Sequence, residues 1–279
     1  MLIPRHWAKA TGSANDPSGK RFAFQIWGWS DADLAEAAAL ARRRLGEAVA
    51  RVARGGLSDH AYFYGKAPLR EEIVRAVTSS DAAIVTRNRY GALVLNTARV
   101  PFIDVDLPAG GGGGGFLKSL FGGRKTSAFE ITLGKVREAC ARHSRTTFRI
   151  YRTAAGFRIL ATDLLIRPES QQALDLLNDF GADPFFVKLC RLQSSFRARL
   201  TPKPWRCECP LPPGSHPRTD PEAQGKFAEW LARYEEKSRR LAVCEFVETR
   251  GPGRTIEEVG PIVSDHDAAC GVGTGSPLA

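Results

Sequence analysis

Residues 101–108, PFIDVDLP, set two carboxylates two positions apart inside an otherwise apolar run. Successive side chains of a strand point to opposite faces, so Asp104 and Asp106 share one face while Ile103 and Val105 share the other. A buried charge without a partner costs several kcal/mol. The segment is therefore expected to be a strand with one face on helices and the other turned toward something that satisfies two acids. Two hard oxygen ligands a few ångströms apart suit Mg²⁺ or Mn²⁺, ions that also hold nucleotide phosphates. Neutralisation by arginine or by solvent would satisfy the same pattern.

The pattern downstream limits the folds this strand can join. FEITLGKVREACARH carries apolar residues at helical spacing, TFRIYR and FRILAT read as strands around a turn from Thr153 to Gly156, and PESQQALDLLNDFG reads as a helix closed by Gly181. A later strand, at RARL or at CEFVET, completes a strand-helix-strand-strand-helix-strand order. That is the split βαβ, ferredoxin-like order, an α+β class with an antiparallel sheet. The hairpin then lies beside PFIDVDLP and brings Arg152, Thr153, Arg158 and Asp163 toward the acids, with Gly156 supplying positive φ at the turn. A purely structural hairpin with exposed arginines is the competing reading.

Residues 1–100 read as an accessory αβ unit, 101–262 as the core, and 263–279 as a C-terminal helix and disordered tail. In the first unit RFAFQIWGWS reads as a strand, Ser30 and Asp33 cap a long Ala- and Arg-rich helix to about Gly55, and Leu69, Ile73, Val74 and Val77 predict a shorter helix. AAIVTR and ALVLN flank a turn from Asn88 to Gly91. Asp220 followed by Pro221 starts a further helix. The glycine run Gly110–Gly115 reads as a flexible insertion over 109–125, since ordering glycine is costly and no P-loop ending follows. Its Phe116, Leu117, Leu120 and Phe121 read as a small apolar tip for a partner or membrane surface, or as residues that fold back onto the body.

Lys and Arg number 40 against 30 acidic residues, a formal charge of +10, which favours a nucleotide or nucleic-acid partner. FRARLTPKPWR concentrates that charge: Arg197, Arg199, Lys203 and Arg206 interleave with Phe196 and Trp205, so guanidinium groups can meet phosphates while a ring stacks on a base. Six cysteines without CxxC spacing read as a reduced, structural set, with Cys207 and Cys209 able to share a soft metal with Cys244 or His216. SDHDAAC offers Asp265, His266 and Asp267 as a ligand or base, or a helix cap at Ser264 or Asp265. No apolar run long enough to span a bilayer and no secretory leader is legible, so the chain is expected in the cytoplasm.

Two resemblances rest on these segments. TRNRYGALVLNT, PFIDVDLP, YRTAAGFRILAT, FRARLTPKPWR and CEFVETRG together resemble a family of uncharacterised bacterial proteins without a known activity. More distantly, the arrangement is similar to the archaeo-eukaryotic primase superfamily, which implies an RNA-recognition-motif-like core behind an N-terminal αβ unit. The resemblance implies divalent metal on Asp104 and Asp106, a nucleotide contact from the hairpin around Gly156, and a further acid, for which Asp163, Glu245 and Glu248 are available. Arg158 stands where that superfamily has a histidine. The implied activity is nucleotidyl or phosphoryl transfer, with Arg152, Thr153, Arg158, Arg197, Arg199 and Lys203 on the substrate; a non-catalytic nucleic-acid- or protein-binding module is the alternative.

Overall fold

The computed structural model describes residues 1–55, 68–79, 82–108 and 127–279. The Gly110–Gly115 insertion and its apolar tip lie outside the described residues. The chain divides into two compact units, residues 2–73 and residues 74–279.

The first unit is a hairpin backed by one helix. β1 (His6–Asn15) pairs antiparallel with β2 (Arg21–Ser30), setting Trp7 opposite Trp29. β1 is a strand that the sequence reading did not include. Asp16 closes the turn by accepting from the backbone of Ser18 and Lys20, and Gly19 takes φ +85. α1 (Leu34–Ala53) is capped by Asp33, which accepts from Glu36 N, while the Ser30 hydroxyl reaches the Glu36 carboxylate. Ala37, Ala41, Ala48 and Val52 form its buried stripe. The helix lies so near β2 that a Cβ on Gly28 would meet Ala37 O at 2.1 Å.

The expected helix around Leu69 to Val77 is instead β3 (Glu72–Ala76), and the division between the units falls inside it. Its β-branched Ile73 and Val74 suit a pleated strand, and tertiary pairing overrides the helical spacing. β4 (Ala83–Arg87), β5 (Leu93–Thr97) and β9 (Phe196–Arg199) complete a sheet of order β3-β4-β5-β9. Gly91 turns the β4-β5 hairpin at φ +84 against the Trp230 ring.

The second sheet has the order β10-β7-β8-β6, all antiparallel, from β6 (Phe102–Asp106), β7 (Phe148–Thr153), β8 (Gly156–Ala161) and β10 (Glu245–Arg250). β9 runs close to the free edge of β6 but hydrogen-bonds to β5. Register fixes the faces. Ile103, Ile159 and Ile150 form one cross-strand row, and Val105, Phe157 and Arg152 the next. That face packs on α2 (Ala128–Arg142) through Phe129 against Phe157, and near α3 (Gln171–Asp179) through Phe148 against Phe180. α4 (Pro184–Gln193) follows, capped by Asp183.

The opposite face carries Phe102, Asp104 and Asp106, then Leu160, Arg158 and Gly156, then Arg149, Tyr151 and Thr153. α6 (Gly260–Ala269) roofs part of it, with His266 against Phe102 and Tyr151. Because α6 starts at Gly260, Ser264 and Asp265 are interior residues rather than caps, and Asp265 pairs with Arg75 at 2.6 Å. The terminal residues expected to be disordered dock instead: Ala242 and Leu278 form a β-bridge, and Ala242 N donates to Pro277 O. α5 (Pro221–Ser238) stacks Phe227, Trp230 and Tyr234 along one face, and Tyr234 Oη contacts Thr201 Oγ1 and Pro202 O. Among the described residues no helix is long and apolar enough to cross a membrane.

Candidate functional site

Asp104 and Arg158 stand directly opposite each other on β6 and β8. The guanidinium grips the carboxylate with both arms, Nε to Oδ1 at 2.8 Å and Nη2 to Oδ2 at 3.1 Å. Its remaining nitrogen, Nη1, donates to Arg199 O at 2.7 Å and faces Cys244 Sγ at 3.6 Å and His266 Nε2 at 3.5 Å. Arg158 is 1% exposed, whereas the Asp104 side chain is 38% exposed. Burial works against the Arg158 cation, but Asp104 and Cys244 outweigh it and hold its pKa above the ordinary value. A guanidinium enclosed this way cannot reach a ligand phosphate. Its role is to fix Asp104 in orientation, leaving the outer lone pairs of that carboxylate to solvent or a cation.

Asp106 lies one row further out, opposite Gly156, and is exposed. Its pKa is raised, first by desolvation and then by the charges of Asp104 and Asp183, against the pull of Lys203 and Arg199. Gly156 is required here for a reason different from the expected positive φ. A Cβ at this position would stand 2.0 Å from Val105 O and 3.0 Å from Asp106 Cα, so glycine lets the hairpin close onto the acid-bearing strand.

Arg199 and Lys203 approach from β9 and the turn after it. Desolvation and then the neighbouring Arg158 cation lower the Arg199 pKa, and its buried Nε has no hydrogen-bond partner among the described residues. A crowded, under-bonded guanidinium favours an incoming anion. The Lys203 pKa is lowered by desolvation, Arg199 and Arg206, and its ammonium lies 5.3 Å from the Trp205 ring centroid. Arg197 shares the Arg199 face of β9, opposite Asn96. Tyr234, through its contacts to Thr201 and Pro202, anchors the turn that presents Lys203.

Other expected members lie elsewhere. Asp163, 4% exposed, sits five residues beyond Arg158, where it accepts from Thr147 N and Oγ1 and pairs with Arg254. Arg152 belongs to the opposite sheet face and stacks on Phe129. Thr153 shares the Asp106 row two strands away. Glu248 is engaged by Arg137 and Arg250, which depress its pKa, the Arg137 hydrogen bond contributing most. The further acid that acts on Asp106, after Asp104, is Asp183, the cap of α4, and its sequence signal is Asp before Pro184.

Under α6 lies a second group. Cys244, His266 and Cys270 bring their ligand-capable atoms within 4.8 Å of one another, all buried. Cys207 and Cys209, expected as possible partners of Cys244, pack instead with Phe227, Trp230 and Tyr234. His266 Nδ1 is 3.0 Å from Asp267 Oδ1, and Asp267 also receives Arg149 at 2.6 Å. Arg158 Nη1 faces all three atoms, so a fixed cation already stands beside the group and would repel a divalent ion there. The set is better suited to an anion on sulfur than to a divalent metal. The helical spacing of His266 and Cys270, four residues apart, carried that signal in the sequence.

No protein-family model, curated protein or solved structure matches this chain.

Proposed function

We propose that the chain handles nucleotides or nucleic acid at the outer end of β6, through a primase-like core in which Asp104 and Asp106 hold Mg²⁺ or Mn²⁺ and Arg199 and Lys203 receive phosphate. In support, β9 runs near β6 although it hydrogen-bonds to β5; counted as a fourth strand there, it would give the order β9-β6-β8-β7 expected of a ferredoxin-like unit, with α2 in the first crossover and α3 and α4 in the second. The observation that carries the reading is the unbalanced charge at this edge: Asp106, its ionised form disfavoured by desolvation and by two other carboxylates, near an Arg199 whose Nε has no hydrogen-bond partner among the described residues. A divalent cation bridged to a phosphate would relieve both. Arg158 then positions Asp104 and takes no part in phosphate binding. If catalysis follows, it is nucleotidyl or phosphoryl transfer, with metal and guanidinium stabilising the charge that develops on the transferred group.

Calorimetric titration of Mn²⁺ and of a nucleoside triphosphate into the wild type and the double variant Asp104→Asn, Asp106→Asn tests this. Heat in the wild type and none in the variant is expected. The +10 charge favours a second reading, a non-catalytic nucleic-acid-binding module. That module would bind an oligonucleotide with steep salt dependence, indifferent to EDTA and to both Asp substitutions.

A further inference from the structure

We propose that Cys244 and Cys270 form a reversible disulfide, with Cys244 as the sulfur that a small peroxide attacks and Cys270 as the one that resolves it. The backbones already lie side by side, Val243 N donating to Cys270 O at 2.8 Å, and the two sulfurs are within 4.8 Å. A bond of about 2 Å therefore needs side-chain rotation and a small approach, not refolding. Although Cys244 is only 1% exposed, it is one of the residues lining a cavity of about 850 Å³ walled by Phe246, Gly271 and Pro277, which brings a small oxidant to the neighbourhood of this residue. Arg158 Nη1 at 3.6 Å stabilises a thiolate there, and His266 Nε2, 4.0 Å from Cys244 Sγ, can take the thiol proton while Asp267 steadies its other nitrogen.

The electrostatics agree with the division of labour. A hydrogen bond from the Cys270 thiol, then Arg158 and His266, hold the Cys244 pKa well below the ordinary thiol value against its burial. Burial and the neighbouring Cys244 push Cys270 well above it. For His266, burial opposes the charged form, but Asp267 and Cys244 outweigh it and raise its pKa. Burial pushes Cys140 and Cys190 up to about 12, and these thiols have no comparable support.

The steps balance. Cys244 passes its proton to His266, and the thiolate attacks one peroxide oxygen. The O–O bond breaks, and the departing hydroxide takes the proton from His266 as water. Cys270 then attacks the sulfenic sulfur, the S–S bond forms, and the sulfenic hydroxyl leaves with the Cys270 proton as a second water. Two sulfurs lose two electrons and the peroxide gains two. Oxidation removes the negative sulfur beside Arg158 Nη1 and ties the start of β10 to the end of α6.

The full chain is treated with stoichiometric hydrogen peroxide, quenched by alkylation and mapped without reductant. The linked Cys244–Cys270 peptide is expected first, about tenfold or more ahead of change at the other four cysteines, as a supported thiolate outpaces buried thiols, and dithiothreitol reverses it. In Cys270→Ser a dimedone adduct at Cys244 replaces the link; in Cys244→Ser, Cys270 stays unlabelled. Linkage of Cys207 to Cys209 first, equal labelling of Cys270 in Cys244→Ser, or one equivalent of zinc that is lost in both variants would overturn the assignment. The wild-type map decides the matter even if a variant fails to fold.

Discussion

Arg158, with almost no solvent exposure, donates two hydrogen bonds to Asp104, a residue that keeps more than a third of its own side chain in water. The asymmetry makes the pair a support for a surface carboxylate rather than a closed buried bridge. It also predicts unequal costs. Asp104→Leu strands a buried guanidinium and should cost about 3 kcal/mol, the low end of the range for removing one partner of a buried charge, since Arg158 Nη1 keeps its bond to Arg199 O. Arg158→Met leaves an acid that water can reach and should cost less. The double variant should recover much of the loss, which a denaturant-unfolding cycle on the four proteins measures.

The close approach of the hairpin to β6 is tested at Gly156. A methyl group there would meet Val105 O at 2.0 Å, so Gly156→Ala should lose about 1–3 kcal/mol or more and displace Asp106. Gly225 in α5 has open space, and Gly225→Ala should instead stabilise the chain by about 1 kcal/mol. Thermal unfolding of the two variants should therefore shift in opposite directions.

Asp106 costs stability in the folded state. Its folded pKa is raised above the ordinary 3.8, so its ionised form opposes folding, and the penalty is fully present above the folded pKa. Asp106→Asn should be more stable than the wild type at neutral pH, by a few tenths of a kcal/mol given its exposure. The difference should shrink as pH falls through the folded pKa and close below 3.8, where Asp106 is protonated in both the folded and the unfolded chain. Paired stability curves from pH 7 to pH 3 check the sign, and adding Mn²⁺ should reverse the neutral-pH order by stabilising only the wild type.

Lys203 meets phosphate in this account. Lys203→Ala should weaken oligonucleotide binding and reduce the slope of log K against log salt by about 0.7–0.9. Tyr234→Phe, which removes the anchor of the Lys203 turn, should weaken binding without changing that slope. Fluorescence titration at four salt concentrations separates the two effects.

Much of this architecture could be read in the chain. The alternation of PFIDVDLP set both acids on one face, and the hairpin and helix signals after it placed Arg158 beside Asp104. Local signals were weaker where tertiary contacts decide. Ile73 and Val74 have helical spacing but pair as a strand, and β1 alternates in burial with residues as small as Ala8, Ala10, Gly12 and Ala14, which give little apolar signal. Asp163 is near Arg158 in sequence but lies past the far end of β8, since each strand residue adds about 3.3 Å. The approach of Asp183 to Asp106, and of Cys244 to the His266 and Cys270 pair, comes only through packing of α4 and α6, over sequence separations that no local pattern reports.

The Asp104 and Asp106 edge is expected to bind a divalent cation. The most direct measurement is Mn²⁺ titration followed by electron paramagnetic resonance, with and without a nucleoside triphosphate, on the wild type, Asp106→Asn and Asp163→Asn. The account predicts bound Mn²⁺ in the wild type and Asp163→Asn, tightened by nucleotide, and only free Mn²⁺ signal in Asp106→Asn. Equal binding by Asp106→Asn and the wild type, or loss of binding in Asp163→Asn alone, would contradict it.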